Sequence, residues 1–353
     1  MASYGLNQCA LFKVRSKGRL ADLLHIRLSS LQKLAKDGQY KVFTLAESVC
    51  EFTGKTTKAR SVEEPKGELR RVHDRLRELL SRVTLVDYAH AAVKGRSYRS
   101  NAKAHCNADV VATFDVEKFY PSTTQAHVTQ FFYRCMQCSA DVANLLGQLL
   151  CFRSTKDAEG CLPTGSPASP IVSIYANMPM FDALDRLATT VDLKFTCYVD
   201  DLTFSGEQLP PNLHRRVNSI VASHGHKLNP KKTKVFGKGK PKHVTGVVIK
   251  DGRITVPHSR FLKARRISHH LASTTDPGEQ MRLLRKLSGL LGEAAYLDNS
   301  YAKLAEASYR DLAAASVEPI RTVAGTVVRI VDPLTEKQEL NAPAADDAHP
   351  PWA

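Results

Sequence analysis

Nowhere in this chain of 353 residues does an apolar run reach the length that spans a bilayer, and nothing after Met1 has the form of a signal peptide. That reading excludes a membrane partner and predicts a cytoplasmic protein. The eight cysteines form no framework. Cys135 and Cys138 make the one close pair, and no second Cys/His pair stands at zinc-ligand spacing from it, which argues against structural zinc. Both fall in a segment with helical apolar spacing, Val128 to Leu149, so they read as small core or boundary residues with reduced thiols. No internal repeat is visible, nor any nuclease, protease or toxin motif. Acidic residues are scarce: 35 Asp and Glu stand against 50 Lys and Arg, a formal charge of +15. That imbalance is the footprint of a protein that neutralises phosphates, although a generally basic soluble protein would share it. A hydrophobic content of 43% is globular, and the length allows two or three packed subdomains.

Among the few acidic residues, two adjacent ones stand out. Tyr198-Val199-Asp200-Asp201 closes the strand-like run Leu193, Phe195, Thr196, Cys197, and Leu202, Thr203 and Phe204 follow it. The pattern is strand, tight turn, strand, with both carboxylates at the turn. Adjacent carboxylates repel and are most comfortable with a cation beside them; the alternative is a solvated hairpin turn. A second acidic element weighs against that alternative. Val110 to Ser122 forms an apolar strand that delivers Asp115 and breaks at Pro121, and such a run does not tolerate a lone carboxylate without a partner. A strand-end Asp with a hairpin Asp pair is the arrangement that holds two Mg²⁺ ions ~3.5–4 Å apart for in-line phosphoryl transfer.

These strings, with two others, resemble the reverse transcriptases. Phe114-Asp115-Val116-Glu117-Lys118-Phe119-Tyr120-Pro121-Ser122 is similar to the family's first metal-binding motif. Leu162-Pro163-Thr164-Gly165-Ser166-Pro167-Ala168-Ser169-Pro170 looks like its nucleotide-positioning loop, Tyr198 to Asp201 like its second metal motif, and Asn229-Pro230-Lys231-Lys232-Thr233 like the lysine motif after it. Two further strings resemble the retron branch of the family: Asn101-Ala102-Lys103-Ala104-His105, matching Asn-Ala-x-x-His, and Val244-Thr245-Gly246. Order and spacing agree over roughly residues 15 to 300.

The resemblance implies a set of roles. Asp115, Asp200 and Asp201, with the backbone carbonyl of Val116, would hold two Mg²⁺ ions, and the substrates would be dNTPs. Tyr120 would place its ring beneath the incoming sugar and select DNA, unless it is a core aromatic. Arg60 would contact the triphosphate, with Lys58 one alternation away on the same strand face or simply solvated. Gly165 would let the loop approach base or sugar, and Lys232 would protonate or steer the pyrophosphate, although Lys231 and Lys234 are equally basic neighbours. Asn101 and His105 would help recognise a structured RNA, the alternative being a capping Asn and a satisfied core His. Val244, Thr245 and Gly246 would lie near the primer end or RNA scaffold. One departure stands out: Thr164 occupies a position where the family usually has Gln, and it keeps a hydroxyl while losing the long amide.

The implied function is an RNA-directed DNA polymerase of a retron. It would copy part of its own noncoding RNA into a branched, RNA-linked single-stranded DNA, in antiphage defence with a separate effector protein. Other readings are another bacterial defence or group II-like reverse transcriptase, and an RNA-binding scaffold without catalysis. The implied fold is α+β, a right hand of fingers, palm and helical thumb with an antiparallel palm sheet. Residues 1–107 would be N-terminal helices and fingers, with strands at 41–64 around a basic turn and a charged amphipathic helix at 66–84. Residues 108–256 would be the palm with part of the fingers inserted, including helices at 123–152 and one long helix at 166–190. Residues 257–316 would be the thumb, where Arg260, Lys263 and Arg266 give a helix a basic face for a duplex backbone, and Gly289 and Gly292 permit close helix packing. Residues 317–353 would be an extension, a possible hairpin around Ala324-Gly325 and then a flexible tail.

Overall fold

A computed structural model describes residues 4–37, 39–155 and 158–317. The expected C-terminal hairpin and tail therefore lie outside the described residues, as does all of 318–353. Strands and helices are mixed, as expected of an α+β chain. Contacts divide the chain into two units, one of residues up to 48 with 56–254, the other of 49–55 with the residues from 255 onward.

The first unit is organised by a four-stranded antiparallel sheet. Its strands are β3 (Val110–Asp115), β4 (Lys194–Tyr198), β5 (Asp201–Gly206) and β6 (Lys234–Phe236), in the spatial order β4-β5-β3-β6. Leu202, Thr203, Phe204 and Ser205 of β5 are all buried, so that strand reads as a run rather than an alternation. A separate antiparallel pair, β1 (Tyr40–Leu45) and β2 (Arg60–Pro65), stands largely exposed. A short pair, β7 (Lys242–Val244) and β8 (Val247–Lys250), is joined by Thr245 and Gly246, both at positive φ of +45° and +76°. That is the conformation a two-residue hairpin needs, and the glycine supplies it without steric cost.

Helices α1 (Lys17–Leu23), α2 (Leu28–Lys36), α3 (Gly67–Leu80), α4 (Tyr98–Lys103), α5 (Gln125–Gln130) and α6 (Ala140–Leu150) belong to this unit. Helix α3 buries Leu69, Val72, His73, Leu76, Leu79 and Leu80 at helical spacing. Its arginines face outward and pair locally, Arg70 with Asp74 and Glu64, Arg75 with Glu78. Between α5 and α6 the chain makes a π-helical turn, Phe131–Cys135, which ends at Cys135. Cys138 lies beyond it, buried, its thiol donating to the Leu11 carbonyl. The expected long helix at 166–190 is two helices, α7 (Ser169–Ala176) and α8 (Met178–Thr190), broken at Asn177. Pro179 has no N–H to continue the ladder, and Asn177 turns its amide to the Thr123 hydroxyl and the Ser173 carbonyl instead. Helix α9 (Leu213–Ser223) completes the set.

The second unit is helical: α10 (His258–Ser273), α11 (Pro277–Leu297) and α12 (Ala302–Val317). Ile267, Leu283, Leu287 and Leu291 form its buried centre. Asp276 caps α11 through the Glu279 N–H at 2.7 Å, with Pro277 at the first helical position, where no donor is lost. Gly292 packs against the Tyr309 ring, whereas Gly289 has open space around it, so of the two expected close-packing glycines only Gly292 has that role.

Candidate active site

One end of the central sheet collects three carboxylates. In the β3–β5 ladder Asp115 stands opposite Asp201, and Asp200 occupies the turn between β4 and β5. The turn is drawn onto the sheet by the Val116 N–H, which donates to the Asp200 carbonyl at 2.9 Å. Val199 adopts a left-handed φ of +58°, a conformation that a β-branched residue rarely takes. The strain is held by the strands on either side, and it brings both hairpin carboxylates to the strand end.

Burial first, then the charge of Asp200 and of Asp115, pushes the Asp201 carboxyl up to about 7. Burial and Asp115 also raise Asp200. Such crowding asks for positive charge, and Lys232 supplies it: its Nζ lies 2.7 Å from Asp115 Oδ1. Asp115 is buried, while the lysine side chain is 61% exposed. The segment before Lys232 is positioned by backbone bonds, Asn229 N–H to the Asp115 carbonyl at 2.8 Å and Lys232 N–H to the Asn229 carbonyl at 3.1 Å. Among the described residues no three His, Cys, Asp or Glu side chains converge as a finished ligand set. The donors present are nevertheless those a hard divalent ion takes, carboxylate oxygens whose mutual repulsion a cation would relieve. Tyr120 borders the group: burial first, then the Asp200 charge, raises its hydroxyl pKa, and its ring lies against Phe119 at 6.0 Å.

The loop expected to position a nucleotide touches β2. The Thr164 N–H and hydroxyl donate to Glu63 Oε2 at 3.1 and 2.9 Å, and the Gly165 N–H donates to the Glu63 carbonyl at 3.2 Å. A Cβ on Gly165 would lie 2.8 Å from that carbonyl oxygen and 2.8 Å from Val62 Cγ1. The approach of the loop to β2 therefore by itself requires a glycine here. Arg60 begins β2 and is exposed; Lys58 is exposed but in the link before the strand, so the two do not share a strand face.

Two strings distant in sequence meet elsewhere. Asn101 Nδ2 lies 3.4 Å from the Thr245 hydroxyl, which donates to the Tyr98 carbonyl at 3.2 Å. Asn101 and Val244 are fully buried. His105 is also buried, its ring nitrogens 2.7 Å from the Ser205 and Thr196 hydroxyls, and burial drives its pKa down to about 3. His105 matches the second of its two expected readings, a satisfied core His: a neutral ring with both nitrogens engaged inside the sheet packing ties α4's end to β4 and β5. Gly246 lies at the exposed side of its turn. In the helical unit, Arg260 pairs with Glu293 at 2.6 Å, Arg266 donates to the Phe52 carbonyl at 2.6 Å, and Lys263 is half-buried. Two of the three expected backbone-binding cations thus have partners within their own unit. Glu63 was not legible as a site residue, because its partner is 101 residues away and no local pattern marks it.

Among the described residues no helix is long and apolar enough to cross a membrane. Residues 55–249 match the family model described as reverse transcriptase (RNA-dependent DNA polymerase). The chain is 29% identical to the retron Mx162 reverse transcriptase of Myxococcus xanthus over 262 residues, 65% of this chain and 53% of that protein. It is 26% identical to the retron Ec86 reverse transcriptase of Escherichia coli over 238 residues, 67% of this chain and 71% of that one. The aligned part thus spans about half the length of the Mx162 relative.

Proposed function

The chain belongs to the reverse transcriptase family, and on that premise we propose that it is an RNA-directed DNA polymerase serving a retron. The observation that carries the reading is the ladder pairing of Asp115 with Asp201, with Asp200 on the adjoining turn. In this reading Asp115, Asp200 and Asp201, with the Val116 carbonyl, hold two Mg²⁺ ions. Bound there, the ions would lower the pKa of an attacking hydroxyl and neutralise the leaving pyrophosphate. The hydroxyl oxygen forms a bond to the α-phosphorus of a dNTP, the bond to pyrophosphate breaks, and the hydroxyl proton passes to solvent.

The chain's own residues divide the remaining work. Lys232 pairs with Asp115 and presents an exposed ammonium to the departing phosphates. Tyr120 sits beside Asp200 as a wall beneath the sugar, which selects deoxynucleotides. Arg60 and Lys58, both exposed, meet the triphosphate from the β1–β2 side. The right-hand division follows: fingers to about residue 107, palm over 108–256, thumb from 257. Thr245 and Gly246, with buried Asn101 behind the Thr245 hydroxyl, form one small junction whose outer side would face the retron's noncoding RNA. Arg260, Lys263 and Arg266 would face the duplex. The product would be a branched, RNA-linked single-stranded DNA, and the cell would use it with a separate effector against phage. The similarity to retron reverse transcriptases supports this choice over another defence or group II-like enzyme.

The test is to express the chain with its native flanking DNA, extract bound nucleic acid, and treat it with RNase and debranching enzyme. A discrete single-stranded DNA that shifts on debranching and is absent from Asp200→Asn is the expected result. RNA alone, the same in wild type and variant, would refute the polymerase reading and leave a binding scaffold.

A further inference from the structure

The loop at 162–170 is fastened at two places by unrelated devices. At its far end Ser166 Oγ lies 2.6 Å from His73 Nδ1 and accepts the Ala168 N–H at 3.1 Å. His73 Nε2 lies 2.8 Å from the Leu149 carbonyl, which can only accept. Nε2 therefore carries the proton, Nδ1 accepts, and Ser166 is the donor. Ser169 adds a bond to the Pro163 carbonyl at 2.7 Å. These contacts are buried and fix where the loop leaves the helices.

The tip is held differently, by one partly exposed carboxylate. Glu63 Oε2 accepts both the N–H and the hydroxyl of Thr164, while Oε1 accepts the Ser61 hydroxyl at 2.9 Å. The Thr164 hydroxyl also lies 3.1 Å from the Ser61 carbonyl, a second acceptor. Its single proton is thus committed toward β2, and the outward side of Thr164 offers lone pairs and a methyl group but no donor. A glutamine at this position would offer two amide hydrogens. Burial pushes the Glu63 pKa up, but the bonds from Thr164 and Ser61 outweigh it and hold the carboxyl below its ordinary value, as three donors on one ionised group should. Gly165 lets the two backbones approach closely enough for this contact.

We propose that Glu63 is a positioning residue for nucleotide binding, a latch that joins the loop carrying Thr164 to the strand carrying Arg60. The proposal rests on the polymerase reading of the site. Through the latch, the strand that meets phosphates and the loop that meets the base and sugar keep a fixed spacing. The Thr164 side chain, shorter than an amide, is held in one orientation by Glu63 rather than by its own reach.

The test is steady-state incorporation of one dNTP on a primed RNA template by the full chain. Glu63→Ala should raise the KM for dNTP by roughly tenfold, the loss of about one charge-assisted hydrogen bond, with kcat changed less than about twofold. Glu63→Gln should recover most of that loss. Its amide oxygen still accepts from Thr164, and the Ser61 hydroxyl can rotate to accept from its NH₂. Thr164→Val removes the donor at constant shape, and combined with Glu63→Ala it should cost no more than the larger single change. An unchanged KM in Glu63→Ala, or additive effects in the double variant, would overturn the latch. If Glu63→Ala does not fold, the Glu63→Gln and Thr164→Val pair decides: a KM increase in Thr164→Val that Glu63→Gln does not deepen supports it, and independent effects refute it. A wild-type protein that incorporates nothing overturns the polymerase reading and the latch together, an outcome distinct from an active enzyme indifferent to Glu63.

Discussion

Replacing Asp201 with Asn should make the metal-free protein more stable while abolishing incorporation. The Asp201 carboxyl sits at about 7 because of burial and then of Asp200 and Asp115. In an unfolded chain an Asp titrates near ~3.9. The folded state therefore binds the proton more tightly between roughly pH 4 and pH 7. The stability contributed by the neutral form is fully present below the unfolded pKa and is lost as pH rises through the folded one. Three pKa units correspond to about 4 kcal/mol at most, and solvent at this half-buried group reduces that to on the order of 1–3 kcal/mol. An amide cannot ionise, so the variant escapes the loss. For a unit of this size each kcal/mol moves the Tm by roughly 2–4 °C. Thermal unfolding in EDTA should show Asp201→Asn several degrees above wild type at pH 8 and nearly equal to it near pH 4. Adding Mg²⁺ should raise the wild type and leave the variant in place. A variant no more stable than wild type at pH 8 would mean that the three carboxylates do not crowd one another as the ladder pairing implies.

Three further outcomes follow from the geometry. Lys232→Met leaves buried Asp115 without its cation; metal-free stability at pH 8 should fall by about 1–3 kcal/mol, with Mg²⁺ restoring part of it, and no change would show that the ion pair is inconsequential. Val199→Gly relieves a left-handed β-branched residue, and chemical denaturation should show a gain of about 1 kcal/mol or less, since some buried side chain is also lost. His105→Leu strands the Ser205 and Thr196 hydroxyls; stability should drop by about 2–3 kcal/mol while RNA affinity per folded molecule stays the same, and a selective loss of affinity would revive direct RNA contact.

The residues that sequence could deliver were those with a local signature. Asp115 ends an apolar run and Asp200 with Asp201 closes a hairpin, so their positions follow from strand and turn chemistry alone. That the runs pair with Asp115 opposite Asp201 is a matter of register, which no string states. Lys232 could not be told from Lys231 and Lys234 by composition; a turn anchored by Asn229 brings this one to Asp115. The apolar spacing runs on through Asn177 and so reads as one helix, although Pro179 is a local mark of the break. Glu63 was hidden, and for His105 the interior alternative could not be chosen over RNA contact, for a single reason. Their partners lie about a hundred residues away, and a polar side chain satisfied at long range resembles a solvated one.

The order of strands in the sheet also bears on how the chain is made. β3 lies between β5 and β6, and both are synthesised long after it. Asp115 meets Lys232 across 117 residues of chain. At ribosomal speed that interval is on the order of ten seconds, and β5 arrives only late in it. The nascent protein thus carries unpaired edges on β3 until β5, and then β6, have been made. Holding chaperones and slow, cool expression should therefore govern the yield of soluble protein more than the stability of the finished fold does.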